Sequence, residues 1–350
     1  MRILEISVRS DIGGGPKHLL DLVNEIKDSH YIDIAAPKSG DYTNDLKEAS
    51  RKFIDIPFRA FSVVSFFVLL NHCRLEKVDL IHSHGRGAGF YSRLLKLFGF
   101  KVVHTFHGVH LERGWKGKLK LLIDKVLVPL TDAFICVSES EKILAIKHGV
   151  TKESKTHVVL NGVYIPNGVN EKKRSKEFVL GTLSRLNYQK GLDILIKYVS
   201  RFESEENIKL KCLIGGSGEL EAELKSQNKS QCIEFLGNVE PISFLSKLDV
   251  YISFARWEGL PLAVIEAMSY AKPCLISNVE GNKDLVQDTE NGFLFELDSY
   301  EEFACKLKSY ISSGEQLSQY GNAARKRVIE GFSVNRMAIE TLDIYKKIIS

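Results

Sequence analysis

Two glutamates bracket the run Glu258-Gly-Leu-Pro-Leu-Ala-Val-Ile-Glu266, and two cations, Arg185 and Lys190, follow a separate apolar stretch upstream. Four charged groups, two per segment, point to one anionic ligand, because guanidinium and ammonium groups neutralise phosphate oxygens and carboxylates accept hydrogen bonds. Pro261 suits the first position of a helix, where its missing N–H is no loss. That puts Glu258 just ahead of a helix and Glu266 about two turns inside it. The mouth of such a helix offers the backbone N–H groups of Leu262 and Ala263, with the positive end of the dipole, to a phosphate. A capped surface helix with solvated glutamates is the plainer reading of the same residues.

Further candidates are weaker alone. Gly14 and Gly15, in the run Gly13-Gly14-Gly15, lie between the first strand and a helix expected to start at Pro16. Without Cβ atoms they let backbone N–H groups approach a phosphate or an acceptor, or they make an ordinary tight turn. Gly215-Gly216-Ser-Gly218 invites a dinucleotide reading, but position 221, where a third glycine is needed, is Glu221. All ten histidines fall in the first 170 residues. His82-x-His84 sits at a strand end, and His104, His107 and His110 share one strand and loop. Neither has zinc-motif spacing or clustered acidic or cysteine co-ligands, so no metal site is expected. No Asp-x-Asp occurs to hold magnesium beside a diphosphate.

Short apolar runs alternate with helical patterns along the whole chain: Ile3 to Val8, a helix from Pro16 to Ile26, Ile32 to Ala35, Val78 to His82, Val102 to Phe106 and Ala133 to Val137. That rhythm is parallel α/β architecture. It restarts after the charged stretch Glu171 to Glu177, with Phe178 to Leu183, a helix over 191–202, Leu210 to Ile214, a helix over 219–226, Cys232 to Phe235, Val250 to Phe254, a helix over 261–270, Cys274 to Ser277 and Gly292 to Phe295. Two doubly wound domains facing a central cleft are expected, with the boundary near residue 170. The first covers 1–170, the second 171–333. Ligands of such sheets bind at the carboxyl ends of the strands, where all these motifs fall.

Together with Ile-His-Ser-His84, His-Thr-Phe-His107-Gly108, Cys-Val-Ser138-Glu139, Asn161-Gly162-Val163, Gly181-Thr-Leu-Ser-Arg185, Phe235-Leu-Gly237 and Asn291-Gly292-Phe293, these segments run in an order that resembles the retaining glycosyltransferases of family 4. The resemblance covers nearly the full chain and implies the GT-B fold, two Rossmann-like domains, and a nucleotide-sugar donor. By the same resemblance Arg185 and Lys190 grip the diphosphate, which also makes a metal unnecessary, and Glu266 accepts from the ribose hydroxyls. Glu258 and His107 face the donor sugar as the catalytic candidates, and Gly237 and Val239 lie by the nucleobase. A final helix, about 334–350, is implied to cross back to the first domain. The loop Asn278 to Asp284 departs from the family pattern: only Gly281 remains of a glycine pair, and Asp284 stands in for a glutamate. The implied reaction is a retaining, metal-independent, cofactor-free transfer from a UDP-sugar to a glycan or lipid-linked acceptor in bacterial surface polysaccharide synthesis. A nucleotide-sugar epimerase and a silent nucleotide-sugar-binding partner share the fold, and the four charged positions argue against both.

At 350 residues the chain exceeds the usual single core. Met1-Arg2 leads directly into a strand pattern with no apolar export segment, and six scattered cysteines read as reduced core thiols, so a cytoplasmic location is expected. Residues 1–170 hold 24 Lys and Arg against 18 Asp and Glu, so an anionic surface near that half competes with ordinary scatter as the explanation. No nucleic-acid partner is expected. Phe61 to Leu70 is densely apolar but about half the length that spans a bilayer, and is read as a helix face packed on the sheet. The segment 114–125 mixes Trp115 and leucines with four lysines, the composition of an interfacial helix, and points to a peripheral membrane or acceptor contact.

Overall fold

The computed structural model describes residues 1–109, 114–169, 177–206, 208–314 and 316–350. The expected boundary near 170, and His110, lie outside them. The chain divides into two compact units, Met1–Gly162 with Val334–Ser350, and Val163–Ser333.

The N-terminal unit alternates β1 (Arg2–Ser7), α1 (Gly14–Ile26), β2 (Tyr31–Ala36), α2 (Thr43–Ala49), β3 (Lys52–Asp55), α3 (Val63–Leu75), β4 (Leu80–His84), α4 (Gly85–Lys96), β5 (Lys101–Thr105), α5 (Trp115–Leu127), β6 (Ala133–Cys136), α6 (Glu139–Lys147) and β7 (Thr156–Val158). Its seven strands are parallel in the order β3-β2-β1-β4-β5-β6-β7. Because side chains alternate along a strand, each face of this sheet carries its own core. Ile3, Leu80 and Val103 pack with α1 and α2, whereas Leu4, Ile81 and Val102 pack with α3 and α4.

The C-terminal unit runs β8 (Phe178–Leu183), α7 (Leu192–Glu206), β9 (Leu210–Gly215), α8 (Glu221–Gln227), β10 (Ile233–Gly237), α9 (Pro241–Ser246), β11 (Val250–Ser253), α10 (Leu262–Ser269), β12 (Cys274–Ser277), α11 (Asn282–Leu285), β13 (Phe293–Phe295), α12 (Tyr300–Ser312) and α13 (Gln316–Gly331). Its six-stranded parallel sheet has the order β10-β9-β8-β11-β12-β13. The chain order therefore reverses between β8 and β11, the place where doubly wound sheets open a crevice. The last helix, α14 (Val334–Ile349), belongs to the N-terminal unit, where Val334, Met337, Ala338, Ile344 and Tyr345 enter the core beside α1.

Several local expectations are corrected. Helix α1 starts at Gly14, so Gly14 and Gly15 form its first turn rather than the preceding loop. Lys17 N–H closes that turn on the Gly13 carbonyl at 3.1 Å. Pro261 caps α10 from outside with extended backbone (ψ 112°), and Glu266 lies little more than one turn inside rather than two. Helix α3 buries Phe66, Leu69, Leu70 and Cys73 but leaves Val63, Val64, Phe67 and Val68 exposed, because its apolar residues surround the axis instead of following one stripe. Cys305 is exposed, whereas the other five cysteines are buried.

Candidate active site

In the C-terminal unit the site grows from loops at the carboxyl ends of β8, β9, β11 and β12. After β8 the chain turns through Arg185, with Asn187 N–H donating to the Arg185 carbonyl at 3.0 Å and Lys190 N–H to the Asn187 carbonyl at 3.2 Å. Gly191 then takes a left-handed conformation (φ 62°), and a Cβ there would lie 2.0 Å from the Phe254 carbonyl oxygen. Only glycine lets this loop close on the end of β11. The glycine run after β9 has the same use, since a Cβ on Gly216 (φ 115°) would lie 2.0 Å from the Ser184 carbonyl oxygen. Gly215-Gly216-Ser-Gly218 is thus a packing device around the Arg185 loop.

These approaches bring Lys190 Nζ to 2.5 Å from Glu258 Oε1, with side chains 18% and 8% exposed. Gln189 Nε2 donates to the Trp257 carbonyl at 3.0 Å, and Arg256 donates to the Tyr188 carbonyl at 2.6 Å, tying the two loops together. Arg256 is itself held by Asp193 at 2.6 Å. Gly281, ahead of α11, abuts the backbone of Glu258 and Gly259. At α10 the Pro261 carbonyl accepts from Val264 and Ile265, so the N–H groups of Leu262 and Ala263 precede the first intrahelical bonds. Glu266 is half-buried on the first turn beyond them. Gly237 (φ 67°) ends β10, its carbonyl accepting from Gly216 N–H at 2.7 Å, and Val239 packs where a Cβ on Gly215 would sit. Among the described residues, Ser184 Oγ, Asn187 Oδ1, Asn282 Oδ1 and Asp284 Oδ2 are buried without hydrogen-bond partners. Buried polar atoms are nearly always satisfied, so these four, in the Arg185 loop and in α11, are exceptions within the unit that carries the candidate site.

In the N-terminal unit, strand alternation puts Glu5, His82, His84 and Thr105 on the sheet face that α1 and α14 cover. Register aligns Glu5 with His82 and His84 with Thr105. His107 follows β5, with its Nε2 3.2 Å from His84 Nδ1. Gly15 lies against the His107 ring, where a Cβ would come within 3.4 Å, and His18 meets that ring edge-on at 4.8 Å between centroids. Burial, reinforced by the neighbouring histidines, holds His107 well below the usual range and His18 down to about 3, so both rings are neutral. Glu141 braces the loop, accepting from Gly108 N–H at 2.5 Å and Val137 N–H at 2.8 Å. Burial pushes it up to about 7 against those bonds.

The expectation that histidines here lack an acidic neighbour is corrected: ring nitrogens of His18, His84 and His107 fall within 4.8 Å of one another, as do ligand atoms of Glu5, His82 and His84. The residues come from β1, β4, the β5 loop and α1, elements far apart in the chain but adjacent in the sheet. Hydrogen bonds link Glu5, His82, His84 and His107, and His18 bonds to Asn161, so each group has a partner within the protein.

Residues 12–171 match the family described as Glycosyltransferase Family 4, and residues 167–327 match the glycosyl transferases of group 1. The fold superposes on the crystal structure of Anabaena Alr3699/HepE in complex with UDP and glucose with a TM-score of 0.86, at 18% identity, covering 99% of this chain and 100% of that one. The chain is a GT-B glycosyltransferase of the family 4 type. This glycosyltransferase is 28% identical over 346 residues to an Escherichia coli protein named UDP-Gal:alpha-D-GlcNAc-diphosphoundecaprenol alpha-1,3-galactosyltransferase, a match that spans 90% of this chain and 88% of the relative. It is also 28% identical over 345 residues to the O-antigen biosynthesis glycosyltransferase WbnH of Escherichia coli, across 93% and 98% of the two chains.

The candidate sites of the glycosyltransferase hold residues that sequence reasoning passed over: Glu5, His18, Glu141 and Tyr345 in the N-terminal unit, and Gln189, Asn282 and Arg256 in the C-terminal one. Glu5 had a signal, a carboxylate in the middle of the apolar run Ile3 to Val8. Tyr345 had none, because only the docking of α14 brings it to β1.

Proposed function

We propose that this glycosyltransferase is a retaining, metal-independent enzyme that moves a sugar from a UDP-sugar to a glycan or lipid-linked acceptor in bacterial surface polysaccharide synthesis. The observation that carries the reading is the Lys190–Glu258 pair at the strand-order reversal of the C-terminal sheet, beside the start of α10. Arg185 and Lys190 neutralise the leaving diphosphate, and the N–H groups of Leu262 and Ala263 with the α10 dipole add to that stabilisation. Two cations and a helix start supply the counter-charge that magnesium provides elsewhere. Glu266 accepts from the ribose hydroxyls, and Gly237 and Val239 border the base. Glu258, already oriented by Lys190, accepts from sugar hydroxyls and favours the positive charge that develops on the ring. His107 is the further catalytic candidate, acting on the donor sugar, and Gly14 and Gly15 leave backbone N–H groups open to the acceptor. The UDP and lipid-linked choices follow the names of the relatives.

A membrane-surface contact through α5 belongs to the same reading. Trp115, Leu119, Leu122, Ile123 and Val126 are exposed on it, interleaved with exposed Lys118, Lys120 and Lys125. Among the described residues no helix is long and apolar enough to cross a membrane. Such a surface suits a cytoplasmic enzyme that binds the inner face peripherally.

The experiment is a thermal-shift series with UDP, GDP and ADP and their sugars, followed by transfer assays with and without EDTA and NMR of the product anomer. Preferential stabilisation by UDP species, full activity in EDTA and a retained anomer are expected. Stabilisation by another nucleotide, loss of activity in EDTA or an inverted anomer would each remove that part of the proposal.

A further inference from the structure

Below His107 the polar groups form one hydrogen-bonded chain whose protons can be placed. His84 Nε2 is 2.7 Å from Glu5 Oε2, with both side chains buried. A carboxylate only accepts, so His84 carries its proton on Nε2. Burial and His82 lower His84 to about 4 against the pull of Glu5, so the ring is neutral and its Nδ1 is an acceptor. The His107 Nε2 at 3.2 Å must then be the donor. His107 is neutral too, which leaves its Nδ1 bare.

At the far end the carboxylate meets two more polar groups. Tyr345 of α14 donates to Glu5 Oε1 at 3.0 Å, and burial and Glu5 keep its hydroxyl protonated. His82 Nδ1 lies 2.5 Å from that hydroxyl and 3.1 Å from Glu5 Oε2, and its Nε2 is 2.7 Å from the Thr105 hydroxyl. Burial alone would raise the Glu5 carboxyl, but His82 and His84 hold it well below the carboxylate range. Glu5 is thus an ionised group that accepts from His84, and its charge sets the direction of the bonds from His84 up to His107.

We infer that Glu5 and His84 are positioning residues of the transfer site: through His84, the Glu5 carboxylate holds His107 as the Nε2–H tautomer and leaves Nδ1 as the ring's acceptor for a hydroxyl of the bound sugar. The inference rests on the reading of His107 as a sugar-facing group. A neutral amide at position 5 can present its NH₂ to His84, which reverses His84, turns His107 Nε2 into an acceptor and moves the ring proton to Nδ1.

Long-range proton–nitrogen NMR of the full chain with labelled histidine tests this directly. In the native protein at neutral pH, His107 should show a protonated Nε2 and an unprotonated Nδ1. Glu5→Gln should move the proton towards Nδ1 and lower kcat by about tenfold or more, while UDP affinity stays within about twofold. Glu5→Asp, which keeps the charge, should recover part of both. A native His107 protonated on Nδ1 overturns the inference, as does a kcat loss in Glu5→Gln with no change of tautomer. If Glu5→Gln does not fold, Tyr345→Phe keeps the carboxylate charge and should leave the His107 tautomer as in the native protein, and a move of the ring proton to Nδ1 there overturns the inference. Full activity in His107→Ala would sink the sugar-facing reading alone, because the tautomer is measured without turnover.

Discussion

Replacing Lys190 with Ala removes the ammonium 2.5 Å from Glu258 and leaves a carboxylate that is 8% exposed without its cation. Turnover should fall tenfold or more, since ~1.4 kcal/mol of lost transition-state stabilisation is a factor of ten. Arg185→Ala should do the same, and unchanged kcat/KM in both variants would reject the diphosphate role. Glu266→Gln should weaken UDP binding, whereas Glu258→Gln should lower kcat more than UDP affinity. Matching kinetic profiles would reject that division.

At the element level, loop closure depends on glycines that hold left-handed backbone against a neighbour. Gly216→Ala puts a Cβ 2.0 Å from the Ser184 carbonyl oxygen. It should destabilise the C-terminal unit by about 1 to 3 kcal/mol and shift the Arg185 loop, read as a lower Tm with a higher KM for the donor. Helix α5 makes a separate prediction. Trp115→Ser with Leu122→Ser removes two exposed apolar anchors, and sedimentation with anionic vesicles should weaken by about tenfold or more while UDP binding is unchanged. Equal sedimentation of both forms would exclude α5 as the contact.

For the whole molecule, α14 is the last element of the chain and part of the first unit's core. Deleting residues 334–350 uncovers that core and takes Tyr345 from Glu5, so the N-terminal unit should lose its cooperative melting transition while the C-terminal unit keeps its own. The buried histidines set the acid limit. His18 and His84 are depressed to about 3 and about 4 from 6.5, so their contribution is full above pH 6.5 and is lost as pH falls towards those values, on the order of a few kcal/mol. Glu141, raised from 4.5 to about 7, works oppositely, stabilising below pH 4.5 and losing that contribution as pH rises through 7. Glu141→Gln should therefore steepen the fall in Tm on acidification below pH 7, and an unaltered slope would place its ionisation elsewhere.

Short apolar runs alternating with helical patterns were enough to read the parallel α/β class, and charged residues after a strand and around a helix start were enough to nominate Arg185, Lys190, Glu258 and Glu266. These are local signals, carried by a residue and its near neighbours in the chain. The start of α1 at Gly14 and the capping role of Pro261 were misread because helix ends depend on backbone angles that several residue types tolerate. The bond between Lys190 and Glu258, and the chain from Tyr345 through Glu5 and His84 to His107, had no such signal. Both join residues that parallel β-sheets bring together from distant crossovers, and proton positions within the chain follow from burial, which exists only once α1 and α14 cover the sheet.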